Sequence, residues 1–243
     1  ERFDITQTHF EYQGEHDNYV AAFNGAMSIP DMQEYSLVYS ENTPAYALAE
    51  RLGGMDKAYE MFSRYGQSKG DLKTISRENN KTTTDYYIQV LEYLSKNQEK
   101  YKDILYYIGE SFPGEYYKRY LRDITIYQKP GYVREALNVD ALVMEEKPYI
   151  VALYTAYLGG STESSDEISG LGIEQVGQLA YVINEWHRVN KNWLTMNYKI
   201  LKVCLDTDLG IFFSYQWMSD TLNSISETDN GIYLENNRNT LDA

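Results

Sequence analysis

Apolar residues in the first half of the chain recur at helical spacing, and from Ile124 the pattern switches to strand-like alternation. The first 25 residues are polar and irregular, with Gly14 and Gly25 as turn points. Ser28 stands before Pro30 and Asp31, and Met32, Tyr35, Leu37 and Val38 follow as candidate buried positions, so a helix capped by Ser28 is predicted. A second helix is predicted from Pro44 to Leu52, stopped by Gly53-Gly54, and a third from Asp56 to Tyr65 with Ala58, Phe62 and Tyr65 on one face. Gly66 to Asn80 reads as a loop. Thr84 then caps a helix carrying Tyr87, Val90, Leu91 and Leu94, followed by helical segments at Glu99–Ile108 and Gly114–Leu121. Strands are predicted at 124–129, 137–145 and 148–157. Ile173, Val176, Leu179, Ala180, Ile183 and Trp186 mark a long helix over 173–189, with a further amphipathic segment at 193–205 and strands at 209–218 and 231–236.

The order helices, strands, helices, strands points to an α+β fold, an antiparallel sheet with a helical block, rather than alternating βαβ units. Residues 1–189 are expected to hold the helical block, core strands and closing helix. Residues 190–243 are expected to complete the same sheet within one domain. A chain of 243 residues can bury the core this requires.

Composition narrows the function classes. The formal net charge of −14 argues against nucleic acid or an anionic membrane as the main partner, because both demand a basic footprint. The single cysteine, Cys204, leaves no internal disulfide and no cysteine-rich zinc site, and its apolar neighbours suggest a small buried residue. His9, His16 and His187 share no metal-ligand spacing, so neither a metal nor a cofactor is expected. No run of about 18 apolar residues occurs. Glu1 reads as a processed or trimmed start rather than a natural one.

Two short motifs carry candidate chemistry. Ser40-Glu41-Asn42 lies between two predicted helices, where a loop can present a hydroxyl beside an amide; the competing reading is that Asn42 or Thr43 caps the next helix. In Lys129-Pro130-Gly131, at a predicted strand end, the lysine can project a cation into a cleft while Gly131 admits a close approach; the competing reading is an edge strand with a surface lysine.

Taken in order, these motifs and their surroundings resemble the class A β-lactamase and penicillin-binding-protein-like serine hydrolases. "MSIPDMQEYSLVYSENTPAYALAERLGG" resembles the segment bearing that family's S-D-N motif, "NKTTTDYYIQVLEYL" its T-T-P-x-x-M helix, and "IYQKPGYVREALNVDALVMEEKPYIVALYT" its K-T-G strand and the hairpin strands after it. "GIEQVGQLAYVINEW" resembles the helix that closes the fold, and the likeness spans about Asp4 to Trp186. It implies that Ser40 shuttles a proton to the leaving group, Asn42 contacts a substrate amide, Lys129 holds positive potential over the substrate, Gly131 lines the substrate strand, and the Tyr132 backbone N–H is an oxyanion donor. It implies acyl transfer on an amide, peptide or β-lactam through a serine ester, peptidoglycan peptides among the ligands, and an extracellular or cell-surface location.

Three departures qualify that implication. No serine in the chain has a lysine three residues later, so the S-x-x-K nucleophile motif is absent from the sequence. The Gly66–Asn80 loop offers only Glu78 and does not match the family's deacylating E-x-x-L-N pattern. Pro130 stands where the family carries Thr or Ser, which removes a hydroxyl and a backbone N–H. The segment from Asn192 to Ala243 resembles the family's usual beginning, which implies a circular permutation with both termini beside the nucleophile position; an unrelated extension is the alternative. The expected function is a β-lactamase-like site that is inactive or incomplete as this chain, or else a non-catalytic binding or scaffolding protein of the cell envelope using the same cleft.

Overall fold

The computed structural model describes residues 1–78 and 80–197 and the strands at 200–205 and 211–217, with side chains described through residue 190. Its centre is a five-stranded antiparallel sheet built from β3 (Ile126–Val133), β4 (Ala136–Val143), β5 (Tyr149–Ala156), β6 (Ile200–Leu205) and β7 (Ile211–Trp217), in the spatial order β3-β4-β5-β7-β6. A separate two-stranded ribbon pairs β1 (Arg2–Asp4) with β2 (Ala26–Ser28).

Alternation along the strands decides what each face of the large sheet covers. Leu137, Val139, Ala141 and Val143 of β4, with Val151 and Leu153 of β5, turn toward α7 (Gly170–Asn197), where Val176, Ala180 and Ile183 meet them. Leu142, Ile150 and Ala152 point the other way, onto Ile88 and Leu91 of α5 (Thr84–Lys96) and Leu105 and Ile108 of α6 (Lys102–Glu110). Covered on both sides, β5 is buried without interruption from Tyr149 to Leu153. Polar contacts lock α7 to the β4–β5 turn. Asn184 accepts from the Tyr149 hydroxyl at 2.9 Å and donates to Glu145 at 2.9 Å, and Arg188 donates to Glu145 at 2.7 Å.

The remaining helices are α1 (Gln13–Ala22), α2 (Ile29–Val38), α3 (Asn42–Arg51) and α4 (Met55–Phe62). Around Ile5, Met27, Met32 and Ala47, helices α1 to α3 and the β1–β2 ribbon form their own small core. Ser28 caps α2 as expected, in a reciprocal capping box with Asp31. The α5 cap is Thr83, one residue earlier than the sequence suggested.

Several local expectations are corrected. The first 25 residues are not irregular: they hold β1 and α1, a helix without an apolar stripe because its hydrophobic residues crowd its last turn. Gly114–Leu121 is only a 3₁₀ turn at Tyr116–Lys118, since Gly114 and Tyr116 adopt positive φ angles that a regular α-helix does not accommodate. The amphipathic segment at 193–205 divides: α7 runs on to Asn197, and the alternating, β-branched stretch Ile200–Leu205 is a strand. The first strand of the large sheet does not stop at residue 129 but continues through Pro130 and Gly131 to Val133. The strand predicted at 231–236 and the side chain of Cys204 lie outside the described residues.

Candidate functional site

Ser40 occupies the junction between α2 and α3. With φ at +63° it turns the backbone left-handed just past the α2 C-terminus, and the N–H of the next residue, Glu41, returns to the Tyr35 carbonyl at 3.2 Å. A serine pays steric energy for that conformation, which a glycine would not. The turn leaves the Ser40 side chain exposed and pointing toward the β3 edge.

There the Lys129 ammonium donates to Ser40 Oγ at 2.5 Å. Two residues that lie 89 positions apart in the chain, and that the motifs singled out separately, thus share one hydrogen bond. Lys129 also donates to the Pro130 carbonyl at 2.9 Å and stands over the Phe112 ring, 5.9 Å from its centroid. Burial pushes the Lys129 ammonium down to about 8, against the pull of Asp140, which would hold the charge.

The edge position of β3 explains how the strand passes through proline. Among the described residues, only β4 pairs with β3. Pro130 sits opposite Val139, and its carbonyl is taken by Lys129, so its polar side faces the open edge and the ladder loses no donor. Strand alternation carries the Tyr132 N–H, two residues on, to that same open side. The Tyr132 side chain itself leans away, its hydroxyl donating to the Glu167 carbonyl. Gly131 is exposed, and a Cβ added there would meet nothing within 4 Å, so its smallness leaves open space along the edge.

Asn42 is placed differently. It opens α3, whose N-cap is Glu41, and neither Asn42 nor Thr43 caps the helix through its side chain. Glu15 of α1 takes the first donors instead, accepting from the Thr43 N–H and, at 3.4 Å, from the Asn42 amide. The Asn42 nitrogen is thereby engaged by a carboxylate rather than by Ser40 or Lys129. Glu78 is exposed on its loop, its N–H bonded to Ser76 Oγ at 3.1 Å. Among the described residues no group of three metal-ligating side chains occurs. His16 and His187 each bond a backbone carbonyl, at 3.1 and 2.7 Å.

A family model described as the β-lactamase enzyme family matches residues 11–183, spanning both Ser40 and Lys129. The chain belongs to the β-lactamase enzyme family. Solved structures agree with this β-lactamase fold. A variant of the class A β-lactamase of the last common ancestor of Gram-negative bacteria is 20% identical, with a TM-score of 0.53 over 74% of this chain and 71% of that one. The TLA-3 extended-spectrum β-lactamase is 16% identical, with a TM-score of 0.55 over 69% and 68%. A class A β-lactamase from Bacteroides cellulosilyticus is 17% identical, with a TM-score of 0.54 over 76% and 74%. No functionally curated protein matches the chain in sequence.

Three side chains around the Ser40–Lys129 pair were not singled out from the sequence. Phe112 forms a floor for the Lys129 ammonium. Gln128, wholly buried, accepts from the Tyr117 N–H and donates to the carbonyls of Ser111, Phe112 and Glu115, fixing the loop that carries Phe112. Asp140 faces Lys129 across β3 and β4. The one signal for Asp140 was an acid inside a mostly apolar strand, "NVDALV".

Proposed function

We propose that Ser40 and Lys129 form an acyl-transfer-type site that recognises amide, peptide or β-lactam carbonyl compounds, peptidoglycan peptides included. The hydrogen bond between Lys129 Nζ and Ser40 Oγ carries the reading. A cation held beside an exposed hydroxyl at an open strand edge suits a ligand with an electron-rich carbonyl and a carboxylate. The edge N–H groups offer strand-type hydrogen bonds to its backbone, and the ammonium offers charge. With its ammonium pushed down to about 8, Lys129 spends part of its time as a neutral amine near neutral pH. In that form it can accept the Ser40 proton, which suits Ser40 to passing protons to a leaving nitrogen.

No S-x-x-K pair occurs in the 243 residues, and Pro130 stands in place of a hydroxyl. The function proposed for these residues is therefore recognition without efficient turnover. A non-catalytic binding role in the cell envelope draws on the same two observations.

Titration with benzylpenicillin, followed by calorimetry and intact-mass analysis, tests this. Saturable binding is expected, weakened about tenfold or more by Lys129→Met, which corresponds to about 1.4 kcal/mol. Native protein that fails to bind, or that binds as well after Lys129→Met and Ser40→Ala, refutes the assignment. A stoichiometric covalent adduct overturns the claim that these residues bind without acylation.

A further inference from the structure

On the face of the large sheet that meets α5, one row of side chains crosses three strands. Lys129 of β3 lies directly opposite Asp140 of β4, which lies opposite Ala152 of β5. Directly opposed residues on one face approach to about 5 Å between their Cβ atoms. Ala152 is small and leaves the space beside Asp140 to Tyr154, two residues further along β5, whose hydroxyl hydrogen-bonds the Asp140 carboxyl. Tyr87 of α5 closes over Tyr154, with ring centroids 6.3 Å apart. The outer end of the row is the Ser40 hydroxyl.

Asp140 is an expensive residue for this place. Its Oδ1 is buried and has no hydrogen-bond partner. Replacing such a half-satisfied buried carboxyl with a valine would be expected to stabilise a strand of this kind. We propose that Asp140 is a positioning residue for Lys129, setting the charge that the Ser40–Lys129 pair presents to a ligand. The proposal rests on the reading of Ser40 and Lys129 as the ligand site.

The surroundings single out this pairing. Asp140 is the charged group whose field acts on Lys129, and Lys129 is the cation whose field acts on Asp140. From α5, Tyr87 feels the Asp140 charge directly, and so does Tyr117 on the opposite face of the sheet. On α6, which packs along β3, the acids act on other groups: Glu110 on Lys118 and Asp103 on Tyr107. Burial holds the Asp140 carboxyl well above the usual carboxylate range, opposed by the Tyr154 hydrogen bond and by Lys129. Each group's charge therefore acts on the titration of the other. An ionised Asp140 keeps Lys129 an ammonium, suited to holding a ligand anion. A protonated Asp140 releases Lys129 to the neutral amine, suited to taking the Ser40 proton.

The test is an NMR titration of the full chain carrying 13C-labelled lysine and aspartate, with Lys129 Cε assigned through Lys129→Arg. In Asp140→Asn the Lys129 midpoint should fall by about one pH unit, because the ammonium loses its carboxylate. Tyr154→Phe should move it the same way by less. A folded Asp140→Asn protein with an unchanged Lys129 midpoint overturns the proposal, since a purely structural aspartate would leave that titration alone. If Asp140→Asn does not fold, the native protein still decides: Asp140 Cγ must inflect at the Lys129 midpoint, and independent titrations refute the coupling. Penicillin binding is scored separately. Its absence alongside a shifted Lys129 midpoint rejects the ligand-site reading while leaving the coupling intact.

Discussion

Replacing Gln128 with methionine removes hydrogen bonds from the site's foundation while nearly preserving volume. The native side chain is 0% exposed, so no water can take over its partners. The Tyr117 N–H, donated at 3.1 Å, would be left buried without an acceptor, at a cost of about 1–3 kcal/mol. Three carbonyls share the Gln128 amide at 3.2 to 3.3 Å. Those bonds are long, and together they add about 1 kcal/mol. The expected loss is about 3 kcal/mol, a large part of the 5–15 kcal/mol typical of a domain. Urea denaturation read by tryptophan fluorescence should show the midpoint falling by about 1 M or more with an unchanged slope. The loop Gln128 fixes also carries Phe112, so penicillin binding should weaken in the folded variant. A stability loss below about 1 kcal/mol would falsify the view that this single side chain holds the 111–117 loop.

Two further predictions concern the backbone and the pH dependence. Gly159→Ala would place a Cβ 2.2 Å from the Gly172 nitrogen at a residue with φ of +65°, so a loss of about 3 kcal/mol is expected by thermal or chemical denaturation. Gly114→Ala shares the positive φ but meets open space, so about 1–2 kcal/mol is expected, and equal losses at the two sites would contradict the steric argument. Lys118 donates to the carbonyls of Gly109 and Ser111 at 2.5 and 2.7 Å, and burial pushes its ammonium down to about 8 from 10.5. Between those two pH values the unfolded chain binds more protons than the folded one. Native stability measured relative to Lys118→Met should therefore rise from pH 8 to pH 10.5, and a flat difference would refute the burial effect. Tyr86 and Tyr116, pushed up to about 12 by burial, act in the opposite sense, so the absolute stability of both proteins should fall above pH 10.

Much of the fold was legible because the chain follows its own periods. The α2 cap at Ser28, the α5 stripe and the α7 stripe from Ile173 to Trp186 all declare themselves by spacing and capping chemistry. The α1 helix did not, because its stability comes from contacts that no local pattern reports: His16 bonded to the Ile5 carbonyl, and Glu15 bonded to the start of α3. Of the site, Ser40 and Lys129 were legible as chemistry on two separate segments, and the structure joins them. Asn42 was legible as an amide in the right motif but not as one already engaged by Glu15, since that requires knowing where α1 packs. The stop assigned at residue 129 failed for a related reason. A proline ends a strand only where both edges must bond, and the sequence does not say which strand lies at the edge.

That edge has a consequence for how the protein behaves in a crowded solution. An edge strand of eight residues is a template on which a second copy can extend the sheet. Here Pro130 removes one backbone donor from the middle of the strand, and a lysine lies next to that gap. An incoming strand would have to skip a bond and meet a charge at the same point. The residues that depart from ordinary strand chemistry thus discourage a second copy from extending the sheet at β3.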